Sequence, residues 1–285
     1  MSAELHRLSI RGTDLTYVDA GSGETVVLVH GAVSDHRFWR AQLVALAPSY
    51  RCIALDQRYF GSAPWPDDGS NYSLSTHSED LAQFIRQVAP DSPVHLVGTS
   101  YGSTIALHMA LRCDELVRSL FLYEPSLPGV VEDPRLLAEI ATERKGLSPA
   151  TEAQSVGDID GAVRAFVQWI TRDPRGLDAF PAEFRSMADD NARTFELHAK
   201  APPVTISRTD VQRLRVPLTL VHGAETRRVY AIVTETLHSL VPESNAFVIP
   251  GAHHVGPVVK AAEFNALLLE HLLRLRRESP PHSSA

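Results

Sequence analysis

Short apolar runs alternate with amphipathic stretches along most of the chain. Eight runs have the length and residue types of strands, at residues 5–10, 15–19, 26–29, 51–55, 94–97, 119–122, 218–221 and 246–249. Between them, apolar residues recur at helical spacing over residues 38–46, 76–88, 105–111, 230–240 and 263–275. This alternation predicts an α/β protein with βα units and a mostly parallel eight-stranded sheet, covered by helices on both faces.

Three regions depart from this alternation. Only Arg11-Gly12-Thr13 separates the first two runs, which predicts an antiparallel hairpin. The roughly 95 residues between Leu122 and Leu218 contain helical patterns but no convincing strand. Because a structureless loop of that length is improbable, we predict a helical subdomain at 125–216, inserted into a core of residues 1–124 and 217–277. Residues 278–285 are predicted to be a disordered tail.

Composition and charge exclude several classes of function. The chain has 285 residues, 44% hydrophobic and 21% charged, and a formal net charge of −7, which does not suit a nucleic-acid-binding surface. No apolar run reaches the ~20 residues of a membrane span, and the N-terminus lacks the apolar stretch of a signal peptide. Cys52 and Cys113 match no disulfide framework or metal motif. We therefore expect a cytoplasmic protein that acts on a small molecule, with no nucleic acid or membrane partner. The oligomeric state is not predictable.

One glycine-rich turn carries a pattern associated with catalysis. The sequence Gly98-Thr99-Ser100-Tyr101-Gly102 lies between a predicted strand and a predicted helix. A nucleophile elbow requires this context, because a sharp turn exposes the serine above the sheet and glycines on either side allow the backbone to fold tightly. The alternative is an ordinary strand-to-helix turn with a capping serine. Ser100 is the candidate nucleophile.

Two further segments end at the same edge of the predicted sheet. His30-Gly31-Ala32 follows the strand 26–29, where a loop can supply an oxyanion donor. His253 and His254 follow the last predicted strand, so a histidine reaches the edge that carries Ser100. The order of serine first and histidine near the end corresponds to one of the common triad topologies.

With these segments, the chain resembles the α/β-hydrolase superfamily, in its lid-bearing serine esterase, lactonase and carbon–carbon hydrolase branch. The resemblance covers about residues 5–275 and rests on five ordered blocks, at 30–39, 55–62, 98–102, 217–223 and 250–254. It implies the α/β-hydrolase fold, with residues 125–216 as a helical lid over the serine.

The resemblance also implies roles for individual residues. Ser100 is the expected nucleophile, and His254 is preferred over His253 as the general base because the family has a small residue at the position of His253. The backbone N–H groups of Tyr101 and Ala32 are the expected oxyanion hole. Trp39 and Trp169 are candidate substrate-binding residues, although core packing also explains Trp39.

The third member of the triad is ambiguous in the sequence. The family usually has an aspartate three residues after Gly223, but this chain has Thr226 there, which we interpret as a helix N-cap. Glu124 follows the strand 119–122, where some family members carry their acid, and Pro125 is expected to hold it extended. Glu225 is the alternative acid, one residue early. A serine–histidine dyad without an acid is a further possibility.

Ser100 excludes the members of the superfamily that need a carboxylate nucleophile. The expected activity is therefore hydrolysis of an ester, lactone or related acyl bond of a small apolar molecule through an acyl-enzyme. The alternatives are a carbon–carbon bond hydrolase, or a ligand-binding or cofactor-independent protein with the same fold. No cofactor is implied, and no His, Asp or Glu set has the spacing of a metal site.

Overall fold

The sheet of the computed structural model contains eight strands in the order β1-β2-β4-β3-β5-β6-β7-β8. The structure describes residues 4–278, so the predicted disordered tail lies outside it except for residue 278. The pairs β1–β2 and β2–β4 are antiparallel, and the remaining pairs are parallel. This confirms the predicted sheet. The strands are Leu5–Ile10 (β1), Thr13–Ala20 (β2), Thr25–Val29 (β3), Arg51–Leu55 (β4), Val94–Thr99 (β5), Val117–Tyr123 (β6), Leu218–Gly223 (β7) and Asn245–Ile249 (β8).

The predicted hairpin joins β1 to β2. Ile10 pairs with Thr13, which leaves a two-residue turn. Arg11 and Gly12 have φ of 48° and 77°, and positive φ at both central residues is the turn geometry that matches the twist of paired strands.

Helices surround the sheet and continue beyond its edge. They are Arg40–Leu46 (α1), Leu74–Val88 (α2), Tyr101–Ala110 (α3), Pro134–Arg144 (α4), Ser148–Ser155 (α5), Ile159–Thr171 (α6), Ala182–Asp190 (α7), Arg193–Lys200 (α8), Arg208–Gln212 (α9), Arg228–Leu240 (α10), Gly256–Val259 (α11) and Ala261–Glu278 (α12). Helix α1 packs on α12, and α2 packs on α3. All six residues of β5 are buried, as expected for a strand covered on both faces of the sheet. Within the described residues, none of the helices combines the length and apolar character needed to cross a membrane.

The segment between β6 and β7 contains helices α4 to α9, and we call residues 125–216 the insertion. The helical pattern at 184–197 does not form one helix, because α7 ends at Asp190 and α8 begins at Arg193. Asn191 lies at this break with a fully buried side chain. Its amide donates to Asp35 Oδ2 at 2.8 Å and accepts from the N–H of Gly61 at 2.7 Å. The break therefore joins the insertion to two loops of the core.

Candidate active site

Ser100 lies at a sharp turn between β5 and α3. Its φ of 52° and ψ of −119° are strained for a residue with a side chain. A Cβ at Gly98 would lie 2.6 Å from Cα of Ser103, and one at Gly102 would lie 2.3 Å from the carbonyl oxygen of His30. Only glycine fits at both positions, so the predicted elbow geometry is present.

The hydroxyl of Ser100 is free to meet a ligand. Its backbone N–H donates to the carbonyl of Tyr123 at 2.9 Å, which fixes the turn to the end of β6. Within residues 4–278, the Ser100 Oγ forms no hydrogen bond, including to His254. Catalytic hydrogen bonds are often long without substrate and tighten when it binds.

His254 lies on the loop after β8, and two neighbouring side chains hold its ring. Its Nδ1 lies 2.5 Å from Oε2 of Glu124. The ring of Tyr230 stacks on it with centroids 3.7 Å apart and planes 18° apart. The neighbouring His253 instead accepts a hydrogen bond at Nδ1 from the N–H of Val255 at 3.3 Å. Of the two histidines, the structure brings His254 to the carboxylate.

Glu124 is fully buried and holds the histidine from the end of β6. Its carboxylate accepts hydrogen bonds from the N–H of Gly223 at 2.8 Å and from the hydroxyl of Thr226 at 2.7 Å, besides the contact with His254. The predicted extended backbone is wrong, since φ at Glu124 is 47°. These hydrogen bonds to the carboxylate offset the cost of the strained backbone, despite the following proline.

Within residues 4–278, the alternative acid Glu225 forms no hydrogen bond or ion pair with His254. The side chain of Glu225 is exposed, and its backbone N–H donates to the carbonyl of Ala252 at 2.8 Å. Thr226 is not the predicted N-cap, because Arg227 caps α10 without a side-chain hydrogen bond. The threonine hydroxyl is instead used by Glu124. Thr226, at the usual family position of the acid, thus holds an acid that comes from the neighbouring strand.

The two predicted oxyanion donors lie beside Ser100. Tyr101 is the first residue of α3, so its N–H has no partner within the helix. Within residues 4–278, the N–H of Ala32 forms no backbone hydrogen bond, and Ala32 and Ser100 line the same cavities. Val33 next to it has φ of 54°, an unusual value for a β-branched residue.

His30 forms hydrogen bonds that hold this loop. Its Nδ1 lies 2.8 Å from the carbonyl oxygen of Gly31, and its Nε2 accepts from the N–H of Gln57 at 3.2 Å. Burial lowers the pKa of His30, which favours the neutral ring. Because Nε2 accepts a hydrogen bond, the proton of the neutral ring is on Nδ1.

Two cavities meet at Ser100, and both are lined by core and insertion residues. The smaller, about 50 Å³, is walled mainly by apolar side chains: Val33, Phe38, Phe166, Val167, Ile170, Phe184, Ala188 and Val255, with Ser100 and His254 at one end. The larger, about 220 Å³, also includes polar groups: its walls include Leu147, Gln154, Phe166, Trp169, Phe195, His198, Tyr230 and Val233. An apolar cavity of about 150 Å³ holds a benzene molecule, so the larger one can hold a ring or a short chain.

The two tryptophans differ in position. Trp169 lines the larger cavity, and its Nε1 donates to the carbonyl of Glu143 at 3.3 Å. The expectation that Trp39 binds substrate is wrong, because Trp39 is fully buried and lines neither cavity. Its ring packs on Phe38 and Phe264. The neighbouring Phe38 provides the cavity wall instead.

Asp56, directly after β4, supports the end of the loop that contains Ala32. Its Oδ1 accepts from the N–H of His36 at 2.7 Å and contacts Nδ1 of the same residue at 2.8 Å. Burial favours the neutral His36 ring, but the hydrogen bond with Asp56 outweighs it and raises the pKa of His36. Potential metal-ligand atoms of Asp35, His36 and Asp56 lie within 4.8 Å of one another, which the sequence spacing did not predict. Since Asp35 also binds Arg37 at 2.6 Å, these groups already neutralise one another.

Sequence reasoning missed three residues at this site. They are Thr226 as a partner of Glu124, Tyr230 as the ring that stacks on His254, and His198 in the wall of the larger cavity. His198 lies in α8 within the insertion, where no motif distinguishes it. Tyr230 lies on the apolar face of a predicted helix, where core packing is the usual interpretation.

The part of the chain that carries Ser100, Glu124 and His254 matches a known family. Residues 24–261 match the family model described as the alpha/beta hydrolase fold. The chain belongs to the alpha/beta hydrolase fold family. This confirms the resemblance drawn from the sequence blocks.

The proteins to which this chain is similar are named for different reactions. The chain is 24% identical over 270 residues to a 2-hydroxy-6-oxo-6-(2'-aminophenyl)hexa-2,4-dienoic acid hydrolase from Metapseudomonas resinovorans, covering 92% of this chain and 89% of the relative. The structure is similar to the enol-lactonase from Burkholderia xenovorans LB400, with a TM-score of 0.75, 15% identity and coverage of 94% and 100%. It is also similar to a carboxylesterase from Bacillus subtilis, with a TM-score of 0.72, 17% identity and coverage of 95% and 92%. At these identities the two solved structures support the fold alone.

Proposed function

We propose that this alpha/beta hydrolase is a serine hydrolase that cleaves an ester, lactone or related acyl bond of a small, largely apolar molecule through an acyl-enzyme. Ser100 is the nucleophile, His254 the general base and Glu124 the acid. The hydrolase activity of the family supports the general reaction. The choice among acyl bonds rests on the site.

The observation that carries the proposal is the contact of His254 with Glu124. A carboxylate 2.5 Å from Nδ1 keeps the proton on that nitrogen, so Nε2 is the basic atom available to Ser100. The same carboxylate stabilises the imidazolium that forms when the serine proton is transferred. Glu124 is buried and has two other donors, so its orientation is fixed before substrate binds.

The proposed reaction has two stages. Ser100 Oγ attacks the acyl carbon while His254 accepts its proton, and the N–H groups of Tyr101 and Ala32 stabilise the oxyanion. His254 then protonates the leaving group, and the acyl-enzyme forms. Water, activated by the same histidine, attacks the acyl carbon and releases Ser100 with the second product.

We further propose that the insertion acts as a lid that shapes the substrate. Phe166, Phe184 and Ile170 of the insertion meet Val33 and Phe38 of the core around the smaller cavity. The larger cavity takes the other part of the substrate, and its size favours a ring or a short chain. Such cavities favour small molecules with apolar groups on either side of the scissile bond.

Intact-mass analysis after treatment with a fluorophosphonate tests the proposal. We expect one adduct on the wild-type protein and none on Ser100→Ala, because only an activated serine reacts. Hydrolysis of p-nitrophenyl acetate should be lost in the same variant. A folded wild-type protein that remains unmodified would contradict the proposal and favour a ligand-binding protein with this fold.

A second candidate function is hydrolysis of a carbon–carbon bond next to a ketone. The observation that favours it is the relative from Metapseudomonas resinovorans, named as a hydrolase of an oxo-hexadienoic acid, which matches 92% of this chain. Product analysis separates the two candidates. A carbon–carbon hydrolase would convert a 2-hydroxy-6-oxo-6-arylhexa-2,4-dienoic acid and one water into an aryl carboxylic acid and 2-hydroxypenta-2,4-dienoic acid. An esterase would leave this substrate unchanged while hydrolysing aryl esters.

A further inference from the structure

His198 is a histidine in the wall of the larger cavity that the proposed reaction does not use. It lies in α8, lines the cavity together with Ser100, and packs edge-on against the ring of Tyr101 with centroids 4.8 Å apart. Its Nδ1 lies 3.2 Å from the hydroxyl of Tyr72. Its Nε2 forms no hydrogen bond in the part of the chain that the structure describes. Nε2 is therefore the ring nitrogen available to a ligand.

A buried network behind the cavity fixes the protons of these groups. The ring of His77 lies between two partners, with Nε2 3.3 Å from the carbonyl oxygen of Arg58 and Nδ1 2.8 Å from the hydroxyl of Tyr101. Because a carbonyl only accepts, His77 donates from Nε2 and accepts at Nδ1. Tyr101 therefore donates its hydroxyl proton to His77.

The same reasoning assigns the proton on His198. Within residues 4–278, the hydroxyl of Tyr72 meets the distance and angle of a hydrogen bond with Nδ1 of His198, and that of Tyr101 with Nδ1 of His77. Nδ1 of His198 is then the one acceptor for the Tyr72 proton among the described residues. Tyr72 is buried, and a buried hydroxyl proton without an acceptor is unfavourable. Tyr72 donates to Nδ1, and the His198 proton is on Nε2.

The ring is neutral as well as oriented. Burial lowers the pKa of His198 to about 4. At neutral pH the cavity therefore contains a single uncharged N–H donor from this residue, among mostly apolar walls. Such a group is satisfied by an oxygen that accepts a hydrogen bond, and it is left unpaired by a hydrocarbon.

From this we infer that His198 is a specificity-determining residue, which donates a hydrogen bond from Nε2 to an acceptor oxygen in the substrate group that occupies the larger cavity. The inference rests on the proposed function and narrows its substrate class. It favours substrates with a carbonyl or ether oxygen in that group over those with a methylene at the same position. Tyr72 is a positioning residue, because it acts only through the tautomer of His198.

Pairs of substrates that differ by one oxygen test this inference. One pair is p-nitrophenyl 4-oxopentanoate and p-nitrophenyl pentanoate, which places the oxygen in the acyl part. The other is 2-methoxyethyl acetate and butyl acetate, which places it in the alcohol part. The readout is the ratio of kcat/KM within each pair, compared between wild type and variants, so that the intrinsic reactivity of each ester cancels.

We expect His198→Leu to lower this ratio by about three- to tenfold for at least one pair, the size of one neutral hydrogen bond. His198→Gln, which keeps a side-chain N–H near the position of Nε2, should restore part of the ratio. Tyr72→Phe should lower it less than His198→Leu. His238→Leu is the matched control, since His238 lies on α10, forms a hydrogen bond with the Ser244 hydroxyl after the end of that helix, and lines neither cavity.

A ratio that is the same in wild type and His198→Leu for both pairs would overturn the inference. The fluorophosphonate adduct on Ser100 keeps this failure distinct from a failure of the proposed function. An adduct with an unchanged ratio rejects only the role of His198, and the absence of an adduct on wild type rejects the serine hydrolase itself.

Discussion

The turns after β6 and β7 carry a glutamate each and end neighbouring parallel strands, but they provide different surroundings. Glu124 after β6 is fully buried, has a positive φ and contacts Gly223, Thr226 and His254. Glu225 after β7 is exposed, and its backbone is held by Ala252. A carboxylate at the carboxyl end of a strand, next to Ser100 and His254, therefore does not necessarily reach His254. The backbone direction of the turn and the partners of the side chain decide it.

The two turns also depend on each other. The turn after β7 provides the N–H of Gly223 and the hydroxyl of Thr226, and the turn after β6 provides the carboxylate that both of them bind. One strand end therefore contributes the proposed acid and the next strand end contributes its support. Substitutions at these positions can separate the two contributions.

The largest expected effect is that of Glu124→Gln. The amide keeps the size of the side chain but presents a donor to Nδ1 of His254, so the imidazole adopts the wrong tautomer. We expect kcat/KM for p-nitrophenyl acetate to fall by about 10³–10⁴-fold. Glu225→Gln is the matched control and should change it by less than about twofold. Equal losses in the two variants would remove the distinction between the turns.

A second substitution should move the acid to the other turn. In the Glu124→Gln background, Thr226→Asp introduces a carboxylate at position 226. In the wild-type protein the Oγ1 of Thr226 lies 2.7 Å from Oε2 of Glu124. We expect kcat/KM to recover by at least about tenfold, because His254 regains a carboxylate partner. The comparison is with Glu124→Gln alone, measured by the same ester assay. No recovery in a folded double variant would mean that the turn after β7 cannot direct an acid to His254.

Removing the support without the acid should have a smaller effect. Thr226→Val keeps the shape of the side chain but leaves Oε2 of Glu124 with one partner fewer. We expect the free energy of unfolding to fall by about 1–3 kcal/mol, because a buried acceptor loses a hydrogen bond. We expect kcat/KM to fall by about three- to tenfold, because the same lost hydrogen bond leaves Glu124 less firmly oriented towards His254. Urea unfolding and the ester assay measure the two quantities. Unchanged stability would show that the threonine hydroxyl is dispensable to the buried carboxylate.

The wild type and the variants must be compared at a pH at which all of them are folded. Buried histidines set the lower limit of that pH range. Burial lowers the pKa of His77 and of His271 to about 3. Because the unfolded chain binds protons near pH 6.5 and the folded chain does not, stability is greatest above that pH and falls as pH decreases towards 3. We expect urea unfolding to show this fall between pH 7.5 and 5.

His271 provides a variant that checks this assignment. It lies between the hydroxyls of Ser119 and Thr219, at 2.8 Å and 2.9 Å. His271→Gln removes one group that titrates only on unfolding, so the slope of stability against pH should decrease by up to about 1.4 kcal/mol per pH unit below pH 6. The same slope in the variant and in wild type would assign the acid sensitivity to other groups.

The sequence predicted the parts of the site that follow from strand order. Ser100 and His254 come directly after β5 and β8, and the carboxyl ends of parallel strands meet at one edge, so their proximity follows from the order of the segments. The choice between Glu124 and Glu225 does not follow from it. It depends on a φ of 47° at Glu124, which the preceding pattern and Pro125 gave no reason to expect.

The cavity walls were less predictable than the catalytic edge. Trp39 and Phe38 are adjacent in the sequence, but Trp39 lies in the core and Phe38 faces the smaller cavity. They belong to a short 3₁₀-helix, His36–Trp39, which directly precedes α1 and turns more tightly than an α-helix. The path of the insertion depends on contacts such as those of Asn191 with Asp35, 156 residues apart. No local pattern encodes such contacts, and His198 was missed for this reason.

The most direct test of the central claim is the proton between His254 and Glu124. One-dimensional proton NMR of the folded protein, with histidine labelled by ¹⁵N, should show a strongly downfield signal from the Nδ1 proton of His254. We expect this signal in wild type and in Glu225→Gln, and its loss in Glu124→Gln. A signal that persists in Glu124→Gln and disappears in Glu225→Gln would contradict the account and assign the acid to the turn after β7.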